Sequence, residues 1–305
     1  MKIENISDLR VLLATARQGS LSAAARELEI TPAAASAMLK RLEQQLGARL
    51  FVRSTRALRL TSEGELLLNY ARRALELLEE GITQVGVGTT HLSGHIRVAA
   101  PSDLSRHWLL PWFDQFMEMH PQVSIALTVS DKLQDLHRDA LDLAIRYGEL
   151  ADSGLVARLL AETQRIACAS PAYFARHGYP ADPDDLQRHD CISLHIAGQR
   201  DTLWWFSRTA SGAKPEIREV RIQPRRSVDD GALAHDWALG GKGITYKSAL
   251  DIHDDLQQGR LLPALPDWQG KPYPLHALYP ANRFLPVRVR ALTDFLAQQF
   301  AALRG

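Results

Sequence analysis

The sequence predicts a multidomain fold in which an α-helical N-terminal region precedes an α/β C-terminal region. Three observations indicate this class. Residues 22–60 have the pattern of helix, turn, helix and basic hairpin, residues 62–85 read as one long helix, and strands alternate with helices beyond residue 95. A chain of 305 residues is also long enough for two to three domains.

A helix-turn-helix follows a support helix predicted over residues 7–17. Its first helix is expected over about 22–28. Thr31 suits the N-cap of the second helix, because its hydroxyl can accept an orphan backbone N–H, and Pro32 suits the first helical position. Gly47 suits the end of that helix, since glycine tolerates left-handed dihedrals. Apolar residues at three- to four-residue spacing predict a buried stripe: Ala35, Leu39, Leu42 and Leu46.

The opposite face of the second helix carries small and polar side chains that suit a DNA groove. This recognition face consists of Ala33, Ser36, Ala37, Lys40 and Gln44. Ser36 can bond a base edge or a phosphate, Lys40 can pair with guanine or phosphate, and the alanines are small enough to approach a thymine methyl. The simpler alternative is an ordinary solvated helix face.

Basic residues are concentrated next to this helix. From position 40 to position 59 there are six basic residues against one acidic residue, Glu43; they are Lys40, Arg41, Arg49, Arg53, Arg56 and Arg59. The formal net charge of the whole chain is only +1, so the basicity is local. A hairpin with these side chains is expected to contact phosphates as a wing beside the recognition helix.

The next segment predicts a long helix over residues 62–85. Ser62 and Glu65 have the spacing of a capping box. Apolar residues then recur close to every 3.5 positions, as in a helix that pairs along a seam: Leu67, Ala71, Ala74, Leu78, Ile82 and Val85. The alternative is that the helix packs only on its own domain. Glycine, threonine and serine residues from Gly86 to Gly94 predict a hinge.

Beyond the hinge, the predicted elements alternate in the manner of an α/β fold with parallel strands. Ligands of open α/β sheets bind outside the carboxyl ends of strands, so residues there are the candidates for a binding site. They are Pro101 and Ser102 after the first strand, Ser130 after the second, Arg146 in the strand LDLAIRYG, Ser193 and His195 near the end of CISLHI, and Asp229 before a helix.

Each candidate also has a purely structural interpretation. Ser102 and Asp229 suit helix caps, and Arg146 could pair with Asp142 or Glu149. Trp204 and Trp205 could wall a ligand site or belong to the core.

Several functional classes are excluded or disfavoured. No 18-residue apolar stretch exists, and the N-terminal MKIENISDLR lacks the apolar core of a signal peptide, so a cytoplasmic location is expected. No nucleophile elbow, phosphate loop or dinucleotide fingerprint is present, so neither an enzyme nor a cofactor is expected. His189, Cys191 and His195 match no zinc spacing, and no metal is expected. Redox sensing by Cys168 and Cys191 is a minor alternative to two buried strand cysteines.

One continuous run makes the N-terminal pattern specific. GSLSAAARELEITPAAASAMLKRLEQQLGARLFVRSTRALRLTSEG resembles the N-terminal signature of LysR-type transcriptional regulators. By this resemblance, the DNA-binding residues are Thr31, Pro32, Ala33, Ser36, Ala37, Lys40, Arg53, Thr55 and Arg56. Many members have Gln and then Pro after the cap, whereas this chain has Pro32 and then Ala33, which removes an adenine-reading amide.

The resemblance also implies a domain organisation. A winged helix-turn-helix domain would cover residues 1–61, a linker and dimerisation helix 62–88, a hinge 89–94, and an effector-binding domain 95–305 with two periplasmic-binding-protein-like lobes. The first lobe would comprise about 95–162 and 267–305, and the second about 163–266, with crossings near Glu162 and Pro266.

The resemblance places a small-molecule effector between the lobes. By the resemblance, the residues that would contact it are Pro101, Ser102, Arg146, Val228, Asp229, Gly243 and Ile244, to which the strand-end rule adds Ser130, Ser193 and His195. A carboxylate metabolite is one class of effector that would fit, while Asp103 and Asp229 leave room for a cationic or hydroxyl group. The other implied partners are double-stranded DNA with an interrupted palindromic operator, further copies of the chain in a dimer or tetramer, and RNA polymerase.

The predicted function is therefore sequence-specific transcription regulation controlled by a small molecule. The alternative is a cytoplasmic α/β binding protein or enzyme whose N-terminal helices do not bind DNA. An exported solute-binding protein would need a signal peptide, and an enzyme would need a convergent acid/base or nucleophile set. Neither is recognisable in this sequence.

Overall fold

The computed structural model describes residues 3–53, 58–86, 92–131, 141–148, 155–196, 199–209, 214–280 and 285–303. The chain divides into two compact units, Met1–Thr90 and His91–Gly305. None of the described helices is long and apolar enough to cross a membrane.

The first unit is a three-helix domain with a small hairpin and a long helix. Its elements are α1 (Ile6–Gln18), α2 (Leu21–Glu27), α3 (Pro32–Leu46), β1 (Phe51–Arg53), β2 (Leu58–Leu60) and α4 (Ser62–Gly86). β1 and β2 pair antiparallel, with Phe51 opposite Leu60. Val11, Leu12, Ala25, Leu42 and Leu50 are central members of a core to which all four helices contribute.

Local capping determines where α3 begins and ends. The side chain of Thr31 accepts the Ala34 N–H at 3.2 Å, and Pro32 occupies the first turn, as predicted. Gly47 ends the helix in the left-handed region at φ 65°. The carboxylate of Asp8 in α1 is fully buried. It accepts hydrogen bonds from Arg41 Nε at 2.8 Å and from Arg41 Nη2 at 2.5 Å. This bidentate pair fixes the orientation of α3 on α1.

The start of α4 differs from the predicted capping box. Thr61, not Ser62, caps the helix: its Oγ accepts the Gly64 N–H at 2.9 Å and its hydroxyl donates to the Arg49 carbonyl oxygen at 2.6 Å. Glu65 therefore stands one position too late to complete the box. A Cβ on Gly64 would lie 2.1 Å from the Leu50 carbonyl oxygen, so the helix begins in tight contact with the hairpin.

The second unit begins with a lobe that contains a central sheet. In its first pass the chain forms β3 (Ser93–Ala100), α5 (Ser102–Leu104), a π-helical turn (Ser105–Leu109), α6 (Leu110–Met119), β4 (Gln122–Val129), β5 (Leu143–Tyr147) and β6 (Leu155–Ala161). Ser93 and Gly94 belong to β3, so the predicted hinge does not extend that far. Pro111 has no N–H to donate, and the irregular turn precedes it.

The chain then builds a second lobe and returns to the first. The second lobe contains β7 (Arg165–Ala169), α7 (Pro171–His177), a 3₁₀ helix (Pro183–Arg188), β8 (Cys191–Ile196), β9 (Gln199–Arg200), β10 (Leu203–Arg208), β11 (Glu216–Arg221), β12 (Arg226–Val228), α8 (Gly231–Leu239), β13 (Ile244–Ser248), α9 (His253–Gln257), β14 (Leu262–Pro263) and β15 (Gln269–Gly270). β16 (Leu275–Pro280) and α10 (Val287–Ala302) complete the first lobe.

The main sheet of each lobe is mixed and not purely parallel. The first lobe has the order β4-β3-β5-β16-β6, and the second has β12-β8-β13-β7-β14, with β9 beside β8. β3 is parallel to both its neighbours and β8 is parallel to β12 and β13, whereas β16 and β7 run antiparallel to their neighbours. The two antiparallel strands are those that carry the chain into and back from the second lobe.

The chain returns from the second lobe to the first at a later position than the predicted Pro266. Gln269 and Gly270 still pair with β10 in a separate antiparallel sheet, β11-β10-β15. Lys271 O accepts the Arg165 N–H at 2.9 Å, and Gln164 bridges Pro272, so the two crossing segments run side by side. Trp204 of β10 is 1% exposed and belongs to the second-lobe core, which leaves it no role as a wall of a ligand site.

Candidate DNA-binding and effector sites

The recognition face of α3 is presented to solvent. Its five members Ala33, Ser36, Ala37, Lys40 and Gln44 are all exposed, while Ala35, Leu39 and Leu42 on the opposite side are buried. The structure therefore separates the helix into a packed side and an open side. Thr31 and Pro32 are also exposed, at the N-terminal end of the open side.

The hairpin adjoins this helix in the sequence and in the fold. Arg59 is exposed on β2, and Arg49 is exposed just before β1. Glu43 Oε1 accepts the Leu50 N–H at 2.8 Å, which ties the hairpin to α3. The side chain of Arg53 lies outside the described residues, as do Thr55 and Arg56. Their contacts with DNA stay predictions.

A second site lies in the other unit, between its two lobes. An open cavity of about 210 Å³ is lined from the first lobe by Ser102, Val129, Ser130 and Asp131, and from the second lobe by Asp229 and Asp230. The structure thus brings together three of the predicted effector residues, Ser102, Ser130 and Asp229. Pro101 and Val228 are their sequence neighbours at the carboxyl ends of β3 and β12.

Hydrogen bonds across the cavity involve mainly Ser102 and Asp131. The Asp131 carboxylate accepts the Ser102 N–H at 3.1 Å, the Ser102 hydroxyl at 2.6 Å and the Gly231 N–H at 2.7 Å. Ser102 Oγ also accepts the Ala232 N–H at 3.1 Å. Asp230 caps α8 by accepting the Ala232 N–H at 2.9 Å. The cap that the sequence assigned to Asp229 is therefore made by the next residue.

Arg146 is buried behind this cavity. Its guanidinium donates to the Ser130 carbonyl oxygen at 2.7 Å, and the residue is 8% exposed. Burial lowers the pKa of Arg146, and the negative charge of Asp131 opposes that shift. The guanidinium consequently contributes positive charge beneath the cavity.

The other predicted effector residues lie apart from the cavity lining. Ser193 is fully buried and its hydroxyl donates to the Asp201 carbonyl oxygen at 3.0 Å. His195 pairs with Arg200 of β9. Ile244 begins β13 and Gly243 precedes it; the Ile244 N–H donates to the Asp190 carbonyl oxygen at 2.8 Å. A ligand at the carboxyl ends of the strands does not meet that end of β13.

Residues that the sequence did not single out form a buried charge cluster below the cavity. It consists of Asp103, His235, Lys247, Asp251 and Asp255, each at most 6% exposed. Lys247 Nζ contacts the Asp103 carboxylate and lies 3.2 Å from Asp251. His235 Nδ1 lies 3.1 Å from Asp103, and its Nε2 lies 2.9 Å from Asp255. The cluster joins α5 of the first lobe to α8 and β13 of the second.

Opposite charges in the cluster keep Asp103 and Lys247 ionised despite their burial. Burial alone would raise the pKa of Asp103, but Lys247 and His235 outweigh it and hold that pKa well below its ordinary range. Burial lowers the pKa of Lys247, yet Asp103 and Asp251 raise it above the ordinary value of a lysine. Burial raises the pKa of Asp251, which shares Lys247 with Asp103 and competes less well for it. Lys247 and Asp103 are therefore a buried ion pair.

His235 makes the stability of this unit depend on pH. Burial lowers its pKa, but the hydrogen bond and charge of Asp103 outweigh burial and raise the pKa above 6.5. A raised folded-state pKa stabilises the protein fully below the unfolded pKa of about 6.5, and this contribution disappears as pH rises through the folded pKa. We expect the stability difference between wild type and His235→Asn to be largest near pH 6 and to shrink toward pH 9.

Urea unfolding at several pH values measures this difference. All six tryptophans lie beyond residue 100, so their fluorescence reports on the second unit. A His235→Asn difference that stays constant, or grows, from pH 6 to pH 9 would contradict the assignment.

Among the described residues, the two cysteines and the one group of possible metal ligands have contacts that indicate structural roles. Cys168 and Cys191 are buried, and burial raises the pKa of each thiol to about 12, so both are protonated and poorly reactive. Asp103, His107 and His235 offer ligand atoms within 4.8 Å of one another. These atoms already contact one another or the backbone, and Lys247 already neutralises Asp103.

The first unit presents a DNA-reading helix beside a basic hairpin, and the second unit has two lobes around a small cavity. Together they define a ligand-responsive DNA-binding regulator. Comparisons with known proteins specify the family. Residues 6–65 match the model of the bacterial regulatory helix-turn-helix protein of the lysR family, and residues 89–301 match the LysR substrate binding domain. The chain belongs to the LysR family of transcriptional regulators, and it is a regulator and not an enzyme.

Similarity to known members extends over the whole chain. It is 31% identical over 296 residues to the transcriptional regulator CrgA of Neisseria meningitidis serogroup C, covering 97% of each protein. It is 30% identical over 308 residues to the probable regulator LtrA of Klebsiella pneumoniae, covering 100% of this chain and 98% of that protein. The solved structure of CrgA from Neisseria meningitidis has a TM-score of 0.60 at 29% identity, over 98% of this chain and 99% of that one.

Proposed function

We propose that α3 inserts its recognition face into the major groove of an interrupted palindromic operator while the basic hairpin contacts the backbone or adjacent minor groove. The observation that carries the proposal is the exposure of all five recognition-face residues on a helix whose other side is buried. Ser36 and Lys40 are the base-reading candidates on this face, and Arg49 and Arg59 are the described phosphate-binding candidates. The site of action is the cytoplasm, where the DNA is.

Substitutions of base-reading residues and of phosphate-binding residues should change DNA binding in different ways. Ser36→Ala is expected to relax sequence preference by about 1–3 kcal/mol if its hydroxyl bonds a base. Arg59→Ala is expected to weaken all duplexes alike and to lower the salt slope by about 1 per subunit, because each phosphate contact releases counterions. Arg56→Ala, in the segment between β1 and β2 in the sequence, is expected to behave like Arg59→Ala.

Competition gel shifts with operator and scrambled duplexes at several salt concentrations measure both effects. Lys214 is exposed in the second unit, so Lys214→Ala is a charge-matched control for Lys40→Ala. Wild-type operator affinity and selectivity in both Ser36→Ala and Lys40→Ala would overturn the groove assignment. In that case the exposed side of α3 would be only a solvated surface.

Pairing of two chains through α4 would place two recognition helices on the two halves of a palindrome. The first part of the predicted seam, Leu67 and Ala71, packs into the core of its own unit. The same helix also carries apolar side chains that are exposed by 40–69%: Leu66, Tyr70, Leu77, Leu78 and Ile82. A dimer formed by α4 would cover this surface, and the tetramer and contact with RNA polymerase would build on that dimer.

The cavity between the lobes would bind the effector, and its donors favour a carboxylate. The Ser102 N–H and hydroxyl and the Gly231 N–H point at one position, and Arg146 and Lys247 place positive charge near it. Carboxylates are bound in this way by backbone N–H groups with nearby cations. Asp229 and Asp230 at the opposite wall suit a hydroxyl or ammonium group of the same effector.

A further inference from the structure

The position where an effector carboxylate would bind is occupied by a carboxylate of the chain itself. Asp131 follows the carboxyl end of β4 and accepts three hydrogen bonds, at 2.6 Å and 3.1 Å from Ser102 and at 2.7 Å from Gly231. Ser102 belongs to the first lobe and Gly231 to the second. One side chain therefore links the two lobes at the mouth of the cavity.

The position is built for an anion. Ser102 is 2% exposed, and its hydroxyl accepts the Ala232 N–H from the second lobe while donating to Asp131. Lys247 is buried beside it and donates from Nζ to the Gly231 carbonyl oxygen at 3.1 Å. A Cβ on Gly231 would lie 2.9 Å from that ammonium nitrogen, so only glycine allows this approach. Three donors thus converge on the Asp131 carboxylate, and Lys247, which is ion-paired with Asp103 and Asp251, contributes positive charge nearby.

We infer that Asp131 is an internal ligand, and that a carboxylate effector binds by displacing Asp131 and taking over its three hydrogen bonds. The inference rests on the proposed function only in assigning this cavity to the effector. A tethered carboxylate has a high effective concentration, so a simple free carboxylate cannot compete with it. An effector succeeds only if the rest of the molecule adds contacts with the cavity. Asp131 thereby excludes abundant small carboxylates from the sensor.

Chemical rescue of Asp131→Ala tests the inference on the full-length protein. Sodium acetate and sodium formate are titrated against sodium chloride at equal ionic strength, and thermal unfolding is followed by tryptophan fluorescence. We expect either carboxylate to raise the midpoint of Asp131→Ala by about 3 °C at ten times its Kd, and to leave wild type unchanged. Ser102→Ala/Asp131→Ala should lose most of this rescue, because the hydroxyl donor is gone.

Asp114 is an exposed carboxylate on α6, and Asp114→Ala should behave like wild type in every titration. If neither carboxylate stabilises Asp131→Ala more than chloride does, the position is not a carboxylate site. If wild type is stabilised as strongly as Asp131→Ala, Asp131 does not occupy it. This readout needs no DNA, so it is independent of the regulatory function. Either of these two results would overturn the inference, and unchanged operator binding of the variants in gel shifts would show that the regulatory function is intact.

A second measurement applies if Asp131→Ala does not fold. Asp131→Asn keeps the side-chain volume but replaces a charge-assisted bond with a weaker neutral one. Selective ¹⁵N-glycine labelling should show the Gly231 amide proton moving upfield from its wild-type position. An unchanged Gly231 resonance in folded Asp131→Asn would contradict the bond on which the inference depends.

Discussion

Replacing Lys247 with methionine is expected to destabilise the second unit by about 3–5 kcal/mol, because it leaves uncompensated charge in the interior. Lys247 is 4% exposed, and its ammonium faces the buried Asp103 and Asp251 carboxylates. Methionine fills similar volume, so the loss would reflect charge and not a cavity. The pKa of Asp103, held low by Lys247 and His235 against burial, should rise in the variant.

Urea unfolding of the full chain, followed by tryptophan fluorescence, measures this loss. The exposed Lys242 precedes the same strand, and Lys242→Met should change stability by less than about 0.5 kcal/mol. Asp103→Asn/Lys247→Met should be less destabilised than the sum of its single changes, since it removes both members of the pair. Strict additivity, or a loss in Lys247→Met no greater than in Lys242→Met, would show that the contact contributes little.

Introducing glutamate at both Leu78 and Ile82 is expected to separate the dimer that we propose to form through α4. The two side chains are 46% and 69% exposed on α4 in the single chain, so neither is needed for the core of its own unit. Each side chain is expected to contribute about 1.5–3 kcal/mol when a partner buries it, and two-fold symmetry repeats the loss in both copies. The dimer Kd should therefore rise by at least about 10³-fold.

Light scattering and sedimentation measure the mass, and gel shifts measure operator affinity. Ile217 is 57% exposed on β11, so Ile217→Glu adds the same charge to an apolar surface away from α4. We expect Ile217→Glu to keep the wild-type mass. An unchanged mass in Leu78→Glu/Ile82→Glu, with unchanged operator affinity, would assign pairing to another surface.

Sequence alone was sufficient for the helix-turn-helix because its signals are local. A hydroxyl at Thr31, a proline at Pro32 and a glycine at Gly47 each act within one turn of the helix they delimit, and the apolar stripe of α3 follows from helical periodicity. The alternation of strands and helices likewise predicted the α/β class, and the carboxyl-end rule led to Ser102, Ser130 and Asp229.

Signals that depend on a neighbouring element were less reliable. The capping box at Ser62 and Glu65 was displaced by Thr61, whose hydroxyl also bonds the Arg49 carbonyl oxygen of the hairpin. The spacing of Leu67 and Ala71 predicted a seam, but a repeat does not specify which surface will cover it. Strand direction was also undetermined, because periodicity within a strand is the same in parallel and antiparallel sheets.

Only the tertiary structure identified the buried charged side chains that meet at the cavity and next to it. Asp131 stood one residue after the predicted Ser130, yet its role depends on Gly231, 100 positions away. Asp103 and His235 are 132 positions apart, and each would be an ordinary exposed side chain in the unfolded protein. Burial of such charges is stabilising only when opposite charges and donors are brought within hydrogen-bonding distance, and packing of the two lobes alone sets those distances.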